Sequence, residues 1–215
     1  MTPPITCQKV IDSPNIVTEI KTATNGSSEF VTNISMSVVA ALYNFQLMKY
    51  SGENGIAAYG VIMYVSFIFV AIFLGFSIGV APIIGYNFGA KNHVELKSVY
   101  GKCMRFVTVT GIALTAIALA VSAPISKVFV GYDAELYSLT LHGFRLYAVS
   151  FLLCGFGIFG SAFFTALNNG LVSAVISFLR ILVFQTVCIT VLPIFFEIEG
   201  VWWAIIVAEA MSAVV

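Results

Sequence analysis

The stretch GVAPIIGYNFGAKN, Gly79 to Asn92, stands where a long apolar run stops and the densest basic patch of the chain begins. The run it ends contains no Asp, Glu, Lys or Arg from residue 54 to residue 90, and further uncharged runs cover 106–126, 146–179 and 181–196. A helix needs roughly 20 apolar residues to cross a bilayer, so uncharged runs of this kind read as spans rather than as core helices. Strands of a membrane β-barrel would alternate apolar and polar positions over about 10 residues, and no stretch alternates that way. Sixty per cent of the residues are hydrophobic and 9% charged, and the mean hydropathy is +1.00. This is the composition of an integral membrane protein. Ten basic and ten acidic residues cancel, so no overall field favours nucleic acid.

Working outward from the quoted stretch, hydropathy predicts six spans at about 29–49, 56–84, 102–123, 139–166, 171–195 and from 200 to the last residue. The sixth is expected to be incomplete, because Gly200 to Val215 falls short of a full crossing. Residues 1–28 read as a polar arm and 29–215 as an all-α bundle. The arm has no signal-peptide pattern, since Lys9, Asp12, Glu19 and Lys21 interrupt it. Pro82 predicts a kink near the end of the second span, and Pro124 predicts a break before a short interfacial helix, Ile125 to Val130.

Successive connections fall on opposite faces of the membrane. One face receives the arm and Lys91, Lys97, Lys102 and Arg105; the other receives Glu53, Asp133, Glu135, Glu197 and Glu199. Counting basic residues puts the first face, and the amino terminus, in the cytoplasm. Lys49 and Lys127 run against this pattern.

Two patterns imitate enzyme motifs. GFGIFG, Gly155 to Gly160, has no preceding strand and no acidic residue about 20 positions on, so it reads as a packing face and not a dinucleotide site. GFSIG, Gly75 to Gly79, spells a nucleophile elbow around Ser77, but His142 is predicted at the other end of the bundle. Cys7, Cys103, Cys154 and Cys188 form no metal-ligand spacing, so neither a metal site nor a cofactor is expected. The chain is therefore expected not to be an enzyme. Gly75/Gly79 and Gly85/Gly89 are small-residue pairs of the type that packs neighbouring helices closely.

Polar groups inside spans are costly and mark partners or wet cavities. Arg180 and Glu209 are set deep, and a mutual ion pair and a coupling role are both open for them. Arg145 lies near a span end, where it can snorkel. Asn33, Ser35, Ser37 and Asn44 in the first span either line a pathway or bridge helices. Aromatic rows run along the second span from Tyr59 to Phe76 and along the fourth from Tyr147 to Phe164. Most of these rings are expected to pack or face lipid, leaving a remainder to line a pocket for apolar cations.

GFSIGVAPIIGYNFGAKN resembles the span-ending signature of the multidrug and toxic compound extrusion (MATE) family, with Pro82, Gly85, Tyr86, Asn87, Gly89 and Ala90 matching it. The likeness continues through NISMSVVAALYNFQL, AAYGVIMY, SAFFTALNNG, Arg180 and GVWWAIIVAEAMS, over roughly residues 26 to 215. The resemblance implies one lobe, the second bundle of six, of a twelve-helix rocking transporter in the cell membrane. It implies cation-coupled antiport of organic cations or other amphipathic compounds, with H+ or Na+ as the coupling ion and a missing amino-terminal bundle as partner. A lipid-linked saccharide flippase of similar architecture and a non-transport scaffold are the alternatives. The motif residues are expected to form a tightly packed inner gate corner. Asn33, Ser37, Arg180 and Glu209 are the candidates for pathway or coupling, with Glu29 behind them. Some relatives use acidic residues in the first and fourth spans of this bundle for coupling, whereas the first span here offers Asn33 and no Asp or Glu occurs from 136 to 196. The proton or sodium site is therefore expected in the missing bundle, with Glu209 or Glu29 as the alternative within this one.

Overall fold

The computed structural model describes the backbone of residues 16–214 and the side chains of residue 30 and residues 32–214. The expectations for the side chains of the polar arm, for Cys7 and for Glu29 lie outside the described residues. Helix begins at Ile16, well before the predicted start of the first span. The elements are α1, Ile16–Gly89; α2, His93–Val130; α3, Ala134–Ala166; α4, Gly170–Ser177; a π-helical stretch, Phe178–Phe184; and α5, Gln185–Val214. No strand occurs among the described residues. In hydrocarbon, backbone groups must be satisfied within the segment, and these apolar runs do so as helix.

Hydropathy predicts six spans, whereas among the described residues there are four helical runs long and apolar enough to cross a membrane: Thr32–Gly89, His93–Val130, Ala134–Ala166 and Gly170–Val214. The difference arises because two predicted connections are scarcely non-helical. In α1 the break is confined to Gly52 (φ 60°, ψ −147°), and in α5 to Glu197 (φ 51°, ψ −127°).

At both breaks the chain doubles back. The rings of Tyr43 and Tyr59 stack with centroids 5.2 Å apart, though sixteen positions of straight helix would separate them by about 24 Å. A Cβ on Gly55 would lie 3.0 Å from the Leu47 carbonyl oxygen, and one on Gly200 would lie 2.5 Å from that of Leu192.

Neither proline breaks its helix. Non-helical dihedrals in α1 fall at Gly52 and not at Pro82. The predicted interfacial piece after Pro124 is the last part of α2, whose buried stripe runs without interruption through Cys103, Val107, Gly111, Leu114, Ala118, Ser122, Ser126 and Val130. Continuity of that stripe outweighs the one hydrogen bond a proline removes.

α3 is the element around which α1, α2 and α5 pack. The two aromatic rows meet across it: Phe69 lies edge-on to Phe151 at 5.0 Å and Phe76 lies 6.2 Å from Phe159. Phe73 fits where Gly155 lacks a side chain, since a Cβ there would stand 2.5 Å from the ring. The GFGIFG segment is thus a packing face. The pairs Gly75/Gly79 and Gly85/Gly89 mostly are not: nothing lies within 4 Å of a Cβ on Gly75, Gly79 or Gly89, and only Gly85 meets a neighbour, the Ala166 carbonyl oxygen at 3.5 Å. Among the described residues, nothing packs against Gly75, Gly79 or Gly89.

Two ends of the bundle can be told apart. At one, His142 pairs with Glu199 at 2.8 Å, and Trp202 lies against Gly143. At the other, Tyr100 meets Phe163 at 5.1 Å, and Gly85 meets the end of α3.

Candidate functional site

Arg180 lies within the π-helical stretch, about 15 Å along the helix from Gly170, so it stands near the middle of a 30 Å hydrocarbon core. The reversal at Glu197 returns α5 alongside it. Arg180 Nε donates to Glu209 Oε2 and Nη2 donates to Oε1, each at 3.0 Å. The side chains are 13% and 3% exposed. A two-pronged contact of this kind matches the guanidinium fork to the carboxylate and neutralises both charges where neither is tolerated alone. Space for the fork comes from Gly157 on α3, where a Cβ would stand 2.6 Å from Arg180 Cδ and Nε. π-helical turns are uncommon and recur at functional positions.

Arg180 also lines a cleft of about 280 Å³ between α1, α3 and the α4 to π-helical segment, with Ser77, Ser161, Thr165 and Ser177 among the other lining residues. A chain of hydroxyls forms one wall. Ser161 Oγ lies 2.8 Å from both Ser173 Oγ and Ser177 Oγ, and Thr165 Oγ1 donates to Ser173 Oγ at 2.7 Å. Ser161/Thr165 and Ser173/Ser177 are each four residues apart, which puts both hydroxyls of a pair on one helix face. That spacing was the available sequence signal for a network that polarity alone did not single out.

The candidate residues separate. Arg180 and Glu209 are brought together, whereas Asn33 and Ser37 are exposed and do not line the cleft. Ser37 Oγ donates to the Asn33 carbonyl of its own helix at 3.0 Å. Arg145 is exposed. Ser77 lines the cleft, while His142 is at the far end, held by Glu199. Cys103, Cys154 and Cys188 are buried free thiols. Among the described residues no aromatic ring lines the cleft, and the expected aromatic cation pocket is not formed by them there.

The motif residues form the exit from α1. Ala90 N donates to Tyr86 O at 2.9 Å, Lys91 N to Phe88 O at 3.0 Å and Asn92 N to Asn87 O at 2.9 Å. The left-handed residue of this turn is Lys91 (φ 55°), not Gly89. Asn92 then caps α2, its Oδ1 accepting from Glu95 N at 3.2 Å. Asn87 is buried and donates from Nδ2 to Ile83 O at 2.9 Å. The carbonyl that Pro82 leaves without a donor belongs to Ile78, four residues earlier, so Asn87 does not serve it. Pro82, Tyr86, Gly89 and Ala90 are exposed and Gly85 is half-buried. The corner is well hydrogen-bonded but outward-facing, and none of the six motif residues lines the cleft.

A family model described as MatE matches residues 30–190. The chain is 24% identical over 191 residues to the multidrug export protein MepA of Staphylococcus saprophyticus, covering 87% of this chain and 41% of that protein. It is 26% identical, over the same shares, to the MepA of Staphylococcus haemolyticus. The chain thus spans about two fifths of the length of these curated relatives. A solved outward-facing conformation of a multidrug resistance MATE family transporter of the MOP superfamily superposes with a TM-score of 0.86 at 21% identity. That likeness, one of fold, covers 95% of this chain and 46% of the other. The helices are those of a multi-pass membrane protein, and with the family model matched over most of their length, the chain belongs to the MatE family.

Proposed function

We propose that this chain forms one lobe of a secondary active multidrug efflux transporter, exporting amphipathic compounds, organic cations among them, in exchange for H+ or Na+. The observation that carries the reading is the buried Arg180–Glu209 pair, whose arginine lines the cleft between α1, α3 and the α4 to π-helical segment, in a chain of this family. Its supports are the export function named for the two staphylococcal relatives and their greater length, which leaves room for a second, amino-terminal bundle as the partner.

In this reading the reversals at Gly52 and Glu197 divide the four helical runs into six crossings. The basic end, with Lys91, Lys97, Lys102 and Arg105, faces the cytoplasm along with the amino terminus. Glu209 is the coupling carboxylate: when a cation neutralises it, Arg180 is released to reorganise the cleft, and the two bundles rock about that change. The saccharide flippase reading requires a basic cleft, whereas the charge of Arg180 is matched by Glu209. A scaffold requires no cleft.

The test is a chimera in which the carboxy-terminal bundle of the S. saprophyticus relative is replaced by residues 1–215. Ethidium efflux driven by an imposed ion gradient is expected from the chimera and not from residues 1–215 expressed alone. It is expected to be lost on Glu209→Gln when efflux is normalised to the amount of folded chimera in the membrane, since the variant leaves Arg180 without its counter-charge. Efflux from the isolated chain, or an active Glu209→Gln chimera, overturns the reading.

A further inference from the structure

The cleft beside Arg180 contains a hydrogen-bonding group that nothing in the fold uses. Ser77 is 3% exposed and lines the cleft, and its Oγ has no partner. Buried hydroxyls on helices ordinarily donate to a carbonyl one turn back. Ser66, on the same helix as Ser77, donates to Ile62 O at 2.8 Å, and Thr140 donates to Leu136 O at 2.7 Å. Ser77 makes no such bond. Thr115, Ser126 and Thr186 also have unpartnered hydroxyls, but none of them lines the cleft.

Arg180 adds donors to the same space. A guanidinium has five N–H groups, and two of them go to Glu209. The others sit on a group whose charge is already matched. The wall hydroxyls of Ser161, Thr165 and Ser177 bond within their own network. Among the described residues the lining has no aromatic ring and no carboxylate to offer a cationic group a π face or a counter-charge. An anion would find Arg180, the one cation among the described lining residues, already paired. What fits is a neutral acceptor with hydrocarbon around it.

We propose that this cleft is a subsite for a carbonyl oxygen, as in a ketone or amide, held by Ser77 Oγ and a remaining N–H of Arg180, with the flanking hydrocarbon against Leu74, Ile158 and Ile181. A volume of about 280 Å³ takes one small ring system and its carbonyl. That is just below the usual range for whole ligands, so the remainder of a larger amphipath extends out of the cleft. For its biological use the subsite rests on the efflux reading, which it deepens by naming the substrate group bound here.

The probe is benzophenone, a neutral diaryl ketone whose carbonyl is both the acceptor and the photoreactive centre. It is irradiated with the full 215-residue chain in lipid nanodiscs, and adducts are mapped by mass spectrometry. Adducts are expected on the residues around the carbonyl, Ser77 and Arg180, or on the adjoining Leu74, Ile158 or Ile181, suppressed by fluorenone but not by fluorene, which has the same skeleton without the carbonyl. Ser77→Ala removes no bond within the fold and is expected to lower the labelling about fivefold, the worth of one hydrogen bond. Ser126→Ala, equally unpartnered but outside the cleft, is expected to leave it unchanged. Adducts scattered over lipid-facing residues, equal competition by fluorene, or full labelling of Ser77→Ala overturns the subsite. Because binding is read without transport, an inactive chimera with intact labelling would sink the efflux reading and leave the subsite standing. An active chimera without labelling would do the reverse.

Discussion

Gly157 and Arg180 occupy adjoining volume so tightly that a single added carbon at Gly157 would lie 2.6 Å from two atoms of the arginine. The absence of a side chain on α3 is therefore part of the ion pair. Gly157→Ala is expected to push the guanidinium off its two-pronged contact and to destabilise the chain by about 1–3 kcal/mol, the usual cost of overpacking. Gly160, with nothing within 4 Å of its Cβ position, is the control. Gly160→Ala is expected to be neutral or to stabilise by about 0.5–1 kcal/mol through helix propensity. Thermal unfolding in detergent, followed by circular dichroism, separates the two.

Removing one member of the pair leaves the other charge buried. Arg180→Met is expected to cost about 3–5 kcal/mol, whereas Arg180→Met with Glu209→Leu recovers most of the loss, since a buried pair exchanged for apolar groups is often neutral. Urea unfolding of the two variants gives the comparison. A double variant no more stable than Arg180→Met would mean that the pair holds the bundle by more than mutual charge compensation.

The two reversals differ in how well their residues suit them. Gly52, at φ 60° and ψ −147°, occupies a region that is essentially glycine-only. No neighbour lies within 4 Å of a Cβ there, so the cost of Gly52→Ala is purely conformational. It is expected to be about 1–3 kcal/mol. Glu197 carries a side chain at φ 51°, ψ −127°, and Glu197→Gly is expected to stabilise α5 by relieving it. Melting temperatures should move in opposite directions.

Orientation is read by labelling in a background lacking the native cysteines. Asn54→Cys and Asp133→Cys are expected to react with an impermeant maleimide added outside intact cells, and Asn92→Cys only after permeabilisation. Reversed reactivity would invert the bundle and move the Gly79–Asn92 corner to the outer face.

Membrane class, helical content and the depth of Arg180 and Glu209 were legible in the sequence, because the bilayer imposes one demand on every residue of a span. Uncharged length and the rarity of a buried charge can be read along the chain without knowing what lies beside it. The family likeness was legible for a related reason: Pro82, Gly85, Asn87 and their neighbours form a local pattern. Neighbours across space were not legible. Whether Pro124 ends a helix depends on the buried stripe that continues to Val130, and whether Gly75 or Gly157 serves packing depends on which face meets another helix. Ser77 resembled an enzyme motif by spacing and came to line the cleft only once α3 and the π-helical segment were set against it. The pairing of Arg180 with Glu209 likewise required the reversal at Glu197. Hydropathy sums a property of each residue with its environment, whereas packing and hydrogen bonding belong to pairs of residues far apart in sequence. Only the tertiary structure decides those pairs.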